Sequence, residues 1–250
     1  MKTEWDYSKL ADAYLERPPY SDEALNKLFA VAGLASGAVV CDIGAGVAHL
    51  TLPLLEAGFE VVAVEPNDAM RANGRKRTAA FPRVSWVEAG GEDTGQPSGR
   101  FDFVTFGSSF NVMDRPRALV ETHRLLKPGR WFTCMWNHRD LDDPIQKEIE
   151  GIIAANISGY DYGVRREDQT EAINASGLFE DLRQIEGGLI FPQPVEKTIE
   201  AWRSHATLHR QAGDKFEAVV DEIGSYLKSL GRPVIDIPYT TRAWIARRIA

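Results

Sequence analysis

Cysteine and histidine are scarce in this chain, with two of the first and five of the second in 250 residues. The histidines are scattered, so no zinc-ligand spacing can be read, and two thiols make no disulfide framework. Cys41 and Cys134 both fall in apolar runs expected as buried strands, where a thiol serves as a small apolar filler. Basic charge is short as well. A net charge of −7 at pH 7 speaks against the positive surface on which nucleic-acid binding normally depends, so no nucleic-acid partner is expected. The one basic cluster, Arg71, Arg75, Lys76 and Arg77, sits on an expected helix and reads as its solvated face. No apolar run reaches the length of a membrane span, and residues 1–6 do not read as a signal peptide. A cytoplasmic location without a membrane partner is expected. Internal repeats and low-complexity linkers are absent too.

What is present is 44% apolar residue in a length that suits one large α/β domain with an embellishment and falls short of two full domains. The chain is organised around residues 39–51. They read as a short apolar strand ending in Asp42, two glycines one residue apart (Gly44 and Gly46), and a helix that ends near Gly58. Such a strand-turn-helix is expected to aim free backbone N–H groups at a ligand above the strand end. A dinucleotide fingerprint needs a third glycine where His49 stands, which weakens a nicotinamide reading, and no Lys-Ser/Thr follows as in a phosphate-cradling loop. A second apolar strand, residues 60–65, ends in Glu65, roughly 20 residues after the loop, the spacing at which a carboxylate meets ribose hydroxyls in doubly wound folds.

The run Asp42-x-Gly44-x-Gly46-x-Ala48 resembles the nucleotide loop of class I S-adenosylmethionine-dependent methyltransferases, of the small-molecule type found in ubiquinone and menaquinone biosynthesis. Ala48 stands where glycine is commonest. The resemblance implies an α/β fold with a doubly wound, seven-stranded, mostly parallel sheet, an antiparallel C-terminal strand and a helical lid. It implies S-adenosylmethionine as cofactor, S-adenosylhomocysteine as product and a small-molecule acceptor. Asp42 with Gly44, Ala45 and Gly46 would hold the methionine end, and a side chain at Gly44 would occupy the nucleoside's space. Glu65 and Pro66 would meet the ribose, and Met70 would lie along the adenine. Gly90 replaces the aspartate that caps the adenine amino group in the family, so that contact passes to Gly91, Glu92 and Asp93.

Tyr14 and Arg17, in a segment that folds over the cofactor in relatives, would meet its carboxylate. Ser108 and Asn111 lie in the loop facing the transferred methyl group. Many relatives have a histidine where Asn111 stands, and an amide can hydrogen-bond a substrate but cannot act as a base near neutral pH. His138, just after the strand at 131–136, is the candidate base at the pocket mouth. His205 and His209 are lesser candidates, and Trp202 fits a lid over an organic acceptor.

The remaining elements follow from spacing and caps. Residues 6–16 carry Tyr7, Leu10, Ala11 and Tyr14 at helical spacing, and Arg17-Pro18-Pro19-Tyr20 breaks the run. Ser21 caps a helix through about Ala32. Pro53 is expected to loosen a helical run by deleting one backbone bond. Further strands are expected at 84–87, 101–106, 182–191 and 236–246, with helices near 142–158, 166–176, 196–209 and 212–230. The layout is one domain overall: residues 1–35 as N-terminal helices over the cofactor, 36–140 as the cofactor-binding core, and 141–250 as the rest of the sheet with substrate-binding insertions. It is expected as a monomer or homodimer. Two other readings remain open at this point, a nicotinamide-dependent oxidoreductase and a cofactor-binding module of the same fold without catalysis.

Overall fold

The computed structural model describes residues 11–162 and 167–249. Tyr7 and Leu10 of the expected first helix, and residue 166 at the start of the expected helix at 166–176, lie outside the described residues. Seven strands form one sheet: β1 (Val39–Ile43), β2 (Glu60–Val64), β3 (Val84–Val87), β4 (Phe101–Gly107), β5 (Leu126–Arg139), β6 (Phe179–Pro194) and β7 (Val234–Arg248). Their order is β3-β2-β1-β4-β5-β7-β6, and β7 alone runs opposite to the other six. The central strands are almost uniformly apolar because helices cover both faces. In β1, Cys41 pairs with Val62 on one side and Val104 on the other, and its side chain is fully buried. Burial pushes the Cys41 and Cys134 thiols up, which agrees with their reading as apolar filler.

Local chemistry sets the helix starts. Ser21, Asn67, Asp114 and Asp143 each accept backbone N–H bonds at the head of α1 (Asp22–Val31), α3 (Asp68–Arg77), α4 (Arg115–Leu125) and α5 (Pro144–Asn156). The first helix after the glycine loop, α2 (Thr51–Glu56), starts later than expected. Pro53 therefore sits in its first turn, where a missing N–H costs least, and residues 46–50 ahead of it are turns rather than the helix expected there. Residues 13–16 form a 3-10 turn rather than the end of an α-helix.

Beyond β5 come α6 (Thr170–Ala175), α7 (Val195–Arg203), α8 (Ala206–Ala212) and α9 (Phe216–Ser229). The expected helix at 196–209 is broken at Ser204, and the His205 ring caps α8 by accepting from the Leu208 N–H at 3.2 Å. Helices α5, α7, α8 and α9 share a hydrophobic cluster of their own with Ile235 and Ile237 at the start of β7. Because β7 is antiparallel, its start lies at the carboxyl ends of the other strands, and the exits of β5 and β6 lead into α5 and α7 there. The helical insert consequently sits over the edge where open α/β sheets bind ligands. Among the described residues no helix is long and apolar enough to cross a membrane.

Candidate active site

A cavity of about 840 Å³ opens at the carboxyl ends of β1, β2, β4 and β5, between the glycine loop, the N-terminal segment and the helical insert. At its floor Asp42 is wholly buried, and its two oxygens accept from Thr51 Oγ1 at 2.6 Å and Thr105 Oγ1 at 2.9 Å. Burial raises its pKa to about 6, against the opposing pull of the two hydroxyls. Glu65 accepts the Gly46 N–H at 2.9 Å on one oxygen and the Asn67 N–H at 2.8 Å on the other. Burial raises its pKa as well, while those two backbone bonds and the nearby Arg71 lower it.

The N–H groups of the two loop glycines and of Ala45 are not free, contrary to the sequence expectation. Gly44 and Ala45 donate to the Val64 carbonyl at 2.8 and 3.0 Å, and Gly46 donates to Glu65. The donors turn toward β2 because Gly44 and Gly46 take φ of +67° and +56°, which glycine adopts without strain. Ala48 adopts φ +73° in the same loop with its methyl buried. A Cβ on Gly44 would collide with the Ser109 side chain, so that glycine is required by the protein's own packing before any nucleoside arrives. The close helix approach is made by Gly74 of α3, whose added Cβ would lie 2.9 Å from the Gly46 carbonyl. His49 instead faces the N-terminal segment, its Nε2 donating to the Tyr14 carbonyl at 2.7 Å, and burial lowers its pKa to about 4.

Nearly every residue expected at the site lines this cavity. Asp42, Gly44, Ala45, Gly46, Glu65, Pro66 and Met70 form its floor, and Gly91, Glu92, Ser108 and Asn111 one wall. Tyr14, Arg17 and His138 border it from the other side. Asp93 is the exception. A bridge between Gly90 and Asp93 turns the chain so that its exposed side chain accepts the Gly95 N–H at 3.4 Å, away from the cavity. Glu92 stays at the rim, where it accepts from the Asp114 N–H at 2.9 Å. Asn111 Oδ1 accepts from Trp136 Nε1 at 3.0 Å, which leaves its NH₂ as the group for a ligand.

The three histidines expected as bases separate. His138 is not past the strand end: β5 continues to Arg139, and His138 pairs with Thr240 of β7 while still bordering the cavity. His205 lines the cavity too, but its Nδ1 caps α8, so the neutral ring presents N–H rather than a basic lone pair. His209 packs edge-on against Phe216 and lies outside the lining. Arg71 departs from the solvated-face reading as well. It is buried, donates to the Glu65 carbonyl at 2.8 Å and pairs with Asp68 and Glu88, bracing the turn that carries Glu65.

Asn137 and Thr241 carried no local signal, and neither did the partners that hold Arg17 in place. Asn137 Nδ2 donates to the Pro19 carbonyl at 2.7 Å and its Oδ1 accepts from Thr241 Oγ1 at 2.5 Å, while Thr241 Oγ1 accepts from the Ser21 N–H at 2.8 Å. Arg17 donates to Ser204, and its guanidinium lies 3.8 Å from the Tyr14 ring centroid. These bonds draw residues 13–21 across the cavity and fasten them to β5, β7 and the insert. Arg139, Tyr162, Trp202 and Tyr239 complete the wall on the insert side.

Residues 41–134 match the methyltransferase domain family. A methyltransferase of Mycobacterium tuberculosis with no assigned substrate is 34% identical over 124 residues, which cover 50% of this chain and 48% of that protein. A demethylmenaquinone methyltransferase of Lysinibacillus sphaericus is 30% identical over 119 residues, covering 46% and 48%. The chain thus spans about half the length of the curated relatives it matches. Among solved structures, a phosphoethanolamine N-methyltransferase of Haemonchus contortus bound to S-adenosylmethionine superposes with a TM-score of 0.57 at 13% identity, covering 100% of this chain and 59% of that one. At such identity the likeness is one of fold. Residues 41–134 of this chain are thus similar to a methyltransferase domain, and its seven-stranded fold is one that solved methyltransferases share.

Proposed function

We propose that this protein transfers a methyl group from S-adenosylmethionine to a small organic acceptor by in-line displacement at the carboxyl edge of the sheet. Bound there, S-adenosylmethionine would supply a methyl group on a positively charged sulfur that departs as a neutral thioether. The observation that carries the reading is the sign of the floor. The loop N–H groups at Gly44, Ala45 and Gly46 are engaged by β2, and two carboxylates, Asp42 and Glu65, border the same space. A pyrophosphate needs free N–H donors and positive potential, whereas an ammonium, a sulfonium and ribose hydroxyls need acceptors and negative potential. The floor suits the second set and disfavours a nicotinamide dinucleotide.

In this reading Asp42 receives the methionine ammonium and Glu65 the ribose hydroxyls, each through lone pairs beyond those its present partners occupy. Met70, Gly91 and Glu92 border the adenine, and Tyr14 and Arg17 face the methionine carboxylate. Ser108 and the Asn111 NH₂ orient the acceptor. His138 takes a proton only when the acceptor arrives protonated. The segment at residues 13–21 and the insert exclude water and hold the acceptor in line with the methyl group. Calorimetry tests the reading. S-adenosylhomocysteine is expected to bind in the micromolar range and NADH not at all; tight NADH binding with no response to S-adenosylhomocysteine would overturn it.

A further inference from the structure

The insert closes the cavity with the first turn of α5 and one face of α7. The inward stripe of α5 is isoleucine, with Ile149, Ile152 and Ile153 buried in the cluster that holds the insert together. Three residues ahead of Ile149 the same stripe reaches Gln146, a position the pattern would give to an apolar residue. Gln146 is 2% exposed and lines the cavity. It is the third residue of α5 behind the Asp143 cap, the place from which a glutamine side chain can fold back to the cap N–H. Here it does not. Its backbone N–H donates to the Asp143 carboxylate at 3.0 Å, whereas its side-chain amide has no hydrogen-bond partner among the described residues. Two other buried polar side chains on this side of the lining are engaged by the protein. Gln193 Nε2 donates to the Glu16 carbonyl at 2.6 Å, and Thr198 Oγ1 donates to the Pro194 carbonyl at 3.2 Å.

A primary amide taken out of water with nothing to bond costs free energy that a leucine or methionine of similar volume would not. Its place at the cavity wall is accounted for by a ligand that bonds it. The amide presents an acceptor, Oε1, beside a donor, Nε2, in one plane. A carboxylate would set lone pairs against Oε1, an ammonium would set N–H groups against Nε2, and a ketone satisfies Nε2 alone. At neutral pH both ends are met at once by a group with one donor and one acceptor side by side. Resting on the cofactor assignment above, we propose that the methyl acceptor carries an uncharged carboxamide or lactam group and that Gln146 selects it. The carbonyl of that group accepts from Nε2 and its N–H donates to Oε1, while the reacting atom lies on the strand-end side of the cavity by Asn111.

The test is a titration, followed by ligand-observed NMR, of the wild-type protein saturated with S-adenosylhomocysteine. Benzamide is the probe, and acetophenone, benzyl alcohol and benzoate are analogues without the paired donor and acceptor. Benzamide is expected to bind about tenfold or more tightly than each analogue, and to lose about tenfold in Gln146→Leu and in Gln146→Met. Both variants are expected to bind S-adenosylhomocysteine within about twofold of wild type and to melt at or above the wild-type temperature, because the amide makes no bond within the fold. Benzamide binding no more tightly than the analogues, benzamide affinity unchanged in either variant, or a lower melting temperature in both would each overturn the proposal. Failure of S-adenosylhomocysteine to bind the wild-type protein would instead overturn the cofactor assignment.

Discussion

Asp42→Asn should make this protein more stable and a poorer binder. A free aspartate titrates at 3.8, and Asp42 is raised to about 6, with burial the largest cause. At pH 7 a raised carboxyl of this size carries a penalty of about 3 kcal/mol against its ionised form in the folded protein. The sign is fixed by linkage. Between about pH 4 and pH 6 the folded state binds more protons at this site than the unfolded chain, so the contribution of Asp42 to stability falls as pH rises and levels off above pH 6. Asparagine has no charge to desolvate, keeps an oxygen for one threonine and offers its NH₂ to the other hydroxyl. In paired denaturant titrations, the stability difference between variant and wild type should therefore grow by up to about 3 kcal/mol from pH 4 to pH 7. The variant should be the more stable at the upper end, by about 2–4 °C of melting temperature for each kcal/mol. Affinity for S-adenosylhomocysteine should fall about tenfold, because the ammonium loses its ionic partner. A difference that does not change with pH, or a variant less stable than wild type at pH 7, would refute the reasoning.

Other substitutions test neighbouring parts of the account. Glu65→Gln sets an NH₂ against the N–H of Gly46 or Asn67, so stability should drop by about 1–3 kcal/mol and S-adenosylhomocysteine binding should weaken in calorimetry; unchanged binding would remove Glu65 from the site. Ala48→Gly should relieve the φ of +73° and raise stability by up to about 1 kcal/mol in a thermal melt, and a lower melting point would contradict this. Thr241→Val removes the hydroxyl that joins the Ser21 N–H to Asn137, leaving a buried donor unmatched. A loss of about 1–3 kcal/mol and faster proteolysis within residues 13–21 are expected, and wild-type resistance would show that the segment is held elsewhere.

The first half of the sheet could be read from the residues because its information is local. Strands buried on both faces are continuous apolar runs, and the carboxylates that end β1 and β2 mark where the ligand edge lies. What could not be read depends on partners far along the chain. The N–H groups of Gly44, Ala45 and Gly46 looked free because their acceptors, the Val64 carbonyl and the Glu65 carboxylate, lie at the end of the next strand and just past it. His138 looked like a loop residue because β5 runs on to Arg139 only by pairing with β7, about a hundred residues later. The role of Arg17 was half visible. Its place over the cavity followed from the broken N-terminal segment, whereas its tie to Ser204 needed the insert folded back over the sheet. Asp93 and Glu92 were indistinguishable as acids, and one backbone bridge decides which of them faces the cavity.

A crystal of this protein grown with S-adenosylhomocysteine tests the central claim most directly. The account predicts the nucleoside across the ends of β1 and β2, with its ribose hydroxyls on Glu65, its ammonium at Asp42 and its sulfur facing Asn111. An empty crevice above Gly44, or the nucleoside bound elsewhere on the molecule, would contradict it.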